Sequence, residues 1–223
     1  MKRIKIAILS LAGMALFAAQ SFTATYTVTR WEPQVSGTTQ NLRGVCAVSE
    51  TDAWAVGENG TVLHTTNGGQ TWTSVSTPVG TAYHFNDVCF VSSTTGWVVG
   101  EKNATPDQYQ GILLRTQNGG STWLPPQYAG VDILPGKIPP YTPFLSVKMV
   151  LSAGKYRGYI GAGNGNVLRY LPPPDDKWER CKSPSSKSDS ISEWYNYLWE
   201  DPTNANQAWV TGDQGAVSAK TAE

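Results

Sequence analysis

From residue 40 onward the apolar positions fall in short runs of Val, Ile, Leu, Phe, Tyr and Trp, each soon ended by Gly, Asn, Asp or Pro. Runs of that length and make-up predict β-strands joined by turns. No stretch beyond residue 25 sustains a 3.6-residue period, and only Ile191 to Trp199 has room for a helical turn or two. The runs also recur. Val45-Cys46-Ala47-Val48 followed by Trp54-Ala55-Val56-Gly57 returns 43 residues later as Val88-Cys89-Phe90-Val91 followed by Trp97-Val98-Val99-Gly100. The segment from Gly60 to Trp72 returns as Gly111 to Trp123 at an offset of 51, so eight residues are inserted around Asn103 to Gln110, within a turn. A third copy runs from Tyr159 to Arg169 with Trp178 beyond it, and a fourth from Ala208 to Val217.

Glycine punctuates each copy. Glu58-Asn59-Gly60 and Asp213-Gln214-Gly215 read as hairpin connections in which Gly supplies a positive φ. Asn67-Gly68-Gly69 and Asn118-Gly119-Gly120 form a second turn, where Asn can bond its own backbone two residues on. One copy supplies three or four antiparallel strands in about 45 residues, the size of a propeller blade. The predicted fold is all-β: a β-propeller of four-stranded antiparallel blades, with about four repeats at roughly 42–78, 85–127, 144–182 and 195–219. The fourth copy stops after its third strand, near Ala219, while Tyr26 to Trp31 is an unattached strand ahead of the first. Residues 26–33 are therefore expected to act as a closing strand that completes the last blade. A larger propeller cut after a third strand would leave the same pattern, and both readings stay open.

The first residues are of another kind. Lys2-Arg3-Ile4-Lys5, the apolar run Ile6 to Ala19 and the small residues Ala19 and Ser21 predict a secretory signal peptide over 1–21, ending between 21 and 24. The propeller domain is then 25–223, exported to a periplasm, a thylakoid lumen or the extracellular space and at most peripheral to a membrane. The whole chain has 17 basic and 17 acidic residues; without Lys2, Arg3 and Lys5 it has three more acids than bases. That balance excludes nucleic acid as a default partner, because phosphate binding needs clustered cations. The 3 cysteines are an odd number, so at least one has no partner within the chain. Cys46 and Cys89 hold the same position in two repeats. Equivalent strand positions of neighbouring blades do not normally approach disulfide distance, so both are read as small buried strand residues. No CxxC or HxxxH spacing offers a metal site.

Three rows of residues could carry chemistry. Glu58, Glu101 and Asp213 each follow the glycine that ends a second strand, so a propeller would set them around one face. Hydrolysis of a glycoside needs two carboxylates in different environments, whereas repetition supplies similar ones, so the row is read as polar turns. His64, Arg115 and Arg169 share a place on the third strand and, with Arg43 and Arg157, would offer a basic patch to an anionic or acidic segment. Trp54, Trp97 and Trp209 form one aromatic column and Trp31, Trp72, Trp123 and Trp178 another, both read as packing between blades. Trp194 and Trp199 fall outside the columns and suit a binding surface, as does the long Pro-rich loop from Pro125 to Pro143. His84, between Tyr83 and Phe85, is read as packing. Gly161-Ala162-Gly163-Asn164-Gly165 lacks the last glycine of a dinucleotide loop and no helix follows; neither a Walker sequence nor a Gly-x-Ser-x-Gly elbow occurs. No catalytic residue, metal or cofactor is therefore expected.

The segments Thr65 to Trp72 and Thr116 to Trp123 resemble the Asp-box, or BNR, repeat of β-propellers, with Asn in the place of Asp. Asn67, Gly69, Thr71 and Trp72 match its structural positions in the first copy, and Asn118, Gly120, Thr122 and Trp123 in the second. In the third copy the box has decayed to Pro172-Pro173-Pro174-Asp175-Asp176-Lys177-Trp178. The fuller order, Trp-x-x-Gly, then Gly-x-x-Leu, then the box, resembles the photosystem II assembly and stability factor family over most of residues 40–217. That resemblance implies a non-catalytic scaffold whose partner is a protein segment or an assembly intermediate of a membrane complex. Arg43, Arg115, Arg157 and Arg169 are the residues expected to make that contact. The alternative is a carbohydrate-active propeller, since Asp boxes also occur in sialidases and xyloglucanases; Trp194 and Trp199 would then stack on sugar. The Arg-Ile-Pro motif that marks the first substrate arginine of sialidases is absent.

Overall fold

The computed structural model describes residues 32–102, 110–125, 132–133, 142–152, 154–163, 166–174, 176–181, 195–200, 208–212 and 217–219, with the backbone alone for 132–133, 152, 195–200, 208–212 and 217–219. The strands fall into four sheets, as the repeats predict. The first is an antiparallel meander of β1 (Leu42–Ala47), β2 (Ala53–Gly57), β3 (Val62–Thr65) and β4 (Thr73–Ser74). The second holds β5 (Tyr83–Phe90), β6 (Gly96–Lys102) and β7 (Gly111–Thr116), with an isolated bridge from Arg115 to Leu124 where a fourth strand would lie. In the third the order is β8-β12-β11-β10-β9, built from β8 (Asp132–Ile133), β9 (Phe144–Ser152), β10 (Lys155–Ala162), β11 (Asn166–Leu171) and β12 (Lys177–Arg180). The fourth is β13 (Tyr195–Glu200), β14 (Ala208–Gly212) and β15 (Val217–Ala219). First strands of successive sheets lie side by side, β1 on β5, β5 on β9 and β9 on β13. This is the inner ring of a β-propeller.

Two expectations need correction. Residues 195–200 are a strand and not a helical turn, because Tyr195, Tyr197 and Trp199 alternate with period 2 and the segment pairs with β14 from Tyr195↔Gly212 to Glu200↔Ala208. Within the supposed loop from Pro125 to Pro143, Asp132 and Ile133 pair in parallel with Lys177 and Trp178, covering the outer edge of the third sheet. The signal peptide and the strand portion 26–31 of the closing segment lie outside the described residues.

Period-2 alternation buries both faces of β2, β6 and the second half of β10. On β6, Trp97 and Val99 face the third sheet while Val98 faces the first; on β7, Leu113 and Leu114 divide the same way. Each of these side chains is essentially fully buried, and such burial is worth about 1.5–3 kcal/mol per large aliphatic or aromatic group. Asn59 at φ 51° and Gly60 at φ 69° occupy the centre of the turn between β2 and β3, which Gly57 N–H closes onto Thr61 O at 3.0 Å. Two successive positive φ angles match the right-handed twist of a hairpin.

The two boxes have one geometry. Thr65 Oγ1 donates to Asn67 Oδ1 at 2.9 Å and accepts Gly69 N–H at 2.9 Å; Asn67 Oδ1 also accepts Thr71 N–H at 3.0 Å. Thr116, Asn118, Gly120 and Thr122 repeat these contacts at 3.1, 2.9 and 2.9 Å. Asn in the place of Asp adds a donor: Nδ2 of Asn67 reaches Thr71 Oγ1 at 2.9 Å, and that of Asn118 reaches Thr122 Oγ1 at 2.8 Å. The boxes differ in what covers them. Gly120 lies under the indole of Trp54 from the first sheet, whereas Gly69 lies under the side chain of Gln34. Trp123 is accordingly buried, but Trp72 is only half-buried and donates Nε1–H to Gln34 Oε1 at 3.1 Å. Trp72 thus departs from the core column that Trp123 and Trp178 keep.

Candidate functional site

The face at the β2–β3 and β6–β7 turns gathers charge around one guanidinium. Arg43, on β1, donates through Nη2 to Glu58 at 2.9 Å and through Nη1 to Asn86 at 2.7 Å and Glu101 at 3.1 Å. The repeat therefore brings Glu58 and Glu101 together as expected, but as joint acceptors of Arg43. Arg43, aided by Asn41 Nδ2 at 3.0 Å, holds the Glu58 carboxyl below the usual carboxylate range. Two carboxylates tied to one cation are electrostatic anchors between the first and second sheets. Asp213 lies outside the described residues. His84 accepts Asn59 N–H through Nδ1 at 3.0 Å, tying the end of β5 to the first hairpin. Beside Arg43 on β1, Leu42 and Val45 are 42% and 70% exposed. Alternation marks these apolar positions as strand without saying which face is covered.

The cationic row has an unexpected neighbour. His64 stands directly across from Trp54 in the ladder, Arg115 from Trp97 and Arg169 from Tyr159. Opposed residues on one face touch. His64 stacks on Trp54 at 3.8 Å between ring centroids and meets Asp52 through Nε2 at 2.9 Å. Arg115 lies over Trp97 at 5.4 Å, only 6% exposed, with Nη1 3.4 Å from Asp176 of the decayed third box. Asp176 also accepts the Tyr170 hydroxyl; burial, then this bond, pushes the phenol pKa up. Arg43 is one-third exposed and paired, and Arg115 is buried, so contact with a partner through either would first break these bonds. Arg169 is 45% exposed and bonds Glu179 at 2.5 Å; half-buried Arg157, on β10, makes no ion pair with a described residue. Trp194 and the side chain of Trp199 lie outside the description.

Between the inner strands, side chains take the place of backbone pairing. Asp87 on β5 accepts Val88 N–H at 2.8 Å and Val147 N–H of β9 at 2.9 Å, and burial raises its pKa. Asn86 Nδ2 donates to Phe144 O at 2.9 Å. Cys46 Sγ accepts Phe90 N–H at 3.2 Å, and Cys89 Sγ accepts Met149 N–H at 3.3 Å. Both cysteines are free, and Cys89 Sγ is directed to β9, where it also faces Met149 O at 3.7 Å.

A sequence model of the photosynthesis system II assembly factor YCF48 family matches residues 23–140. The chain belongs to the YCF48 family. Among solved structures, YCF48 bound to D1 peptide is 18% identical, with 82% of this chain and 79% of that chain aligned at a TM-score of 0.39. YCF48 from Cyanidioschyzon merolae is 16% identical over 83% of this chain and 68% of the other, also at 0.39. An ancestral GH74 enzyme reaches 0.54 at 18% identity over 80% of this chain, which spans 23% of the enzyme. That last similarity shows the propeller fold that YCF48-family chains share with other proteins. No curated protein matches the sequence.

Proposed function

We propose that this chain is an exported, non-catalytic propeller that holds a protein segment during assembly of a membrane complex. Membership of the YCF48 family carries the reading. YCF48 has been solved bound to a D1 peptide, and we extend peptide binding to this chain. Glu58 and Glu101 share Arg43 as their ion-pair partner, a layout that suits a structural anchor. Of the four arginines, Arg157 makes no ion pair with a described residue and Arg169 is 45% exposed beside Glu179, and Leu42 and Val45 add exposed apolar surface. The test is fluorescence anisotropy of a labelled D1 peptide against the full chain, beside a reducing-sugar assay on xyloglucan. Saturable binding, weakened about tenfold or more by Arg157→Glu with Arg169→Glu and by added salt, is expected. Hydrolysis of xyloglucan with no peptide binding would overturn the reading.

A further inference from the structure

Arg115 and Arg169 hold one repeat position, each across the ladder from the aromatic of its second strand, yet their surroundings differ. Arg115 is 6% exposed because the third sheet brings its decayed box to it: Asp176 stands 3.4 Å from Nη1, and Trp178, two residues on, joins Trp97 in one core cluster. The side chain of Arg169 is 45% exposed and bonds Glu179 of its own sheet. Trp178 belongs to β12, the strand laid along β11. In the fourth sheet the order is β13-β14-β15, and among the described residues no strand pairs with the outer edge of β15. The face beside that edge is cationic. Ile160, Leu168, Tyr170 and Trp178 pack toward the second sheet, so alternation turns Tyr159 and Arg169 to the opposite side, where β13 lies against β9 and β10. One row across the third sheet reads Lys148, Tyr159, Arg169, Glu179. Two residues along their strands, Arg157 and Lys177 share that face.

We propose that the outer edge of β15 and the adjoining face of the third sheet dock an extended acidic segment of a partner protein, which adds as a fourth strand and sets an Asp or Glu against Arg169. The proposal rests on the peptide-holding reading above and names the chemistry of the peptide. An exposed strand edge takes an extended segment through main-chain hydrogen bonds, while alternate side chains give specificity. The pattern for that segment is already in the fold: Asp176 and Trp178 do for Arg115 and Trp97 what an acid and an aromatic two residues apart would do for Arg169 and Tyr159. Charge selects a partner over the chain's own strand ahead of the first repeat. Tyr26-Thr27-Val28-Thr29-Arg30-Trp31 has Thr two residues before its Trp and no acid for Arg169. A carboxylate bonded to a guanidinium is among the stronger pairings available to such a segment.

The experiment is fluorescence anisotropy on the full chain with labelled Thr-Val-Asp-Thr-Trp-Thr-Val as the probe and its Asn-for-Asp counterpart beside it. The expected result is saturable binding of the Asp probe, weakened about tenfold or more in the Asn probe and by Arg169→Glu. A Lys-for-Asp probe should recover binding to Arg169→Glu, which a damaged fold would not permit. Should Arg169→Glu fail to fold, Arg169→Gln takes its place, and the Asp and Asn probes still decide on the unsubstituted chain. Equal binding of the Asp and Asn probes, or no effect of the Arg169 substitutions, would overturn the proposal. So would binding seen only in Val28→Pro, which would assign the edge to the chain's own strand. D1 peptide binding that survives Arg169→Glu would overturn this site and leave peptide holding in place, whereas binding of neither peptide would end both.

Discussion

Gly120→Ala tests whether the stacking of blades, and not merely the turn, demands glycine in the box. Two costs are separable in the structure. At φ +77°, an alanine pays about 1–2 kcal/mol for the left-handed backbone. Its Cβ would also stand 2.2 Å from Cη2 of Trp54, a side chain held between His64 and Phe90 at ring separations of 3.8 and 4.6 Å. The indole cannot swing aside without opening the core of the first two sheets, and such overpacking costs about 1–3 kcal/mol more. Gly154→Ala is the control, because Gly154 has φ +73° and nothing within 4 Å of its added methyl. Gly69→Ala falls between them, since the obstruction there is the flexible end of Gln34. Urea unfolding followed by tryptophan fluorescence should rank the losses Gly154→Ala, Gly69→Ala, Gly120→Ala, with the last about 2–5 kcal/mol below the unsubstituted protein. Gly120→Ala within about 0.5 kcal/mol of Gly154→Ala would refute the reasoning.

Asn118→Ala removes the acceptor of the exposed Thr122 N–H and should cost about 0.5–1.5 kcal/mol in the same unfolding assay, whereas Asn118→Asp keeps that acceptor and should cost less. Asp87 supplies a pH signature. Its pKa in the folded chain is raised above the ordinary 3.8 by burial. Its contribution to stability is therefore fully present below the unfolded value and is lost as pH rises through the folded one. Urea midpoints of the unsubstituted chain should fall relative to Asp87→Asn as pH climbs from 3.8 into that window, and a constant difference would count against a buried, titrating carboxyl.

Repeats made the fold legible, because each copy carries its own turn chemistry. The Asn-Gly pair at 59 and 60 and the Gly-Gly pairs at 68–69 and 119–120 do adopt positive φ, and Asn67 and Asn118 bond the backbone of their own turns four residues on, at Thr71 and Thr122, and not two. Where a copy decays, local signals weaken. The aromatic alternation of Tyr195, Tyr197 and Trp199 is too short to exclude a helical turn, and it takes β14 to settle residues 195–200 as a strand. The two residues of β8 have almost no local pattern and pair only because the edge of β12 is there to receive them.

The candidate site was legible to a smaller degree. That Glu58 and Glu101 share a face follows from repetition, but their common bond to Arg43 depends on how the first sheet is placed against the second. Arg115 and Arg169 look alike in the sequence, since each follows a leucine on a third strand. The structure buries Arg115 over Trp97 against Asp176 and leaves Arg169 nearly half exposed. Cys46 and Cys89 share a repeat position, yet the amide each Sγ accepts, from Phe90 or Met149, is supplied only because β1, β5 and β9 are neighbours in space. By itself, then, the sequence determined the strands, the turns, the box hydrogen bonds and the membership of a propeller family, all of which rest on periods and motifs a few residues long. Only the tertiary structure decided which charges are paired, which aromatic is covered and which amide each thiol accepts, because each depends on what the adjacent blade brings to the same spot.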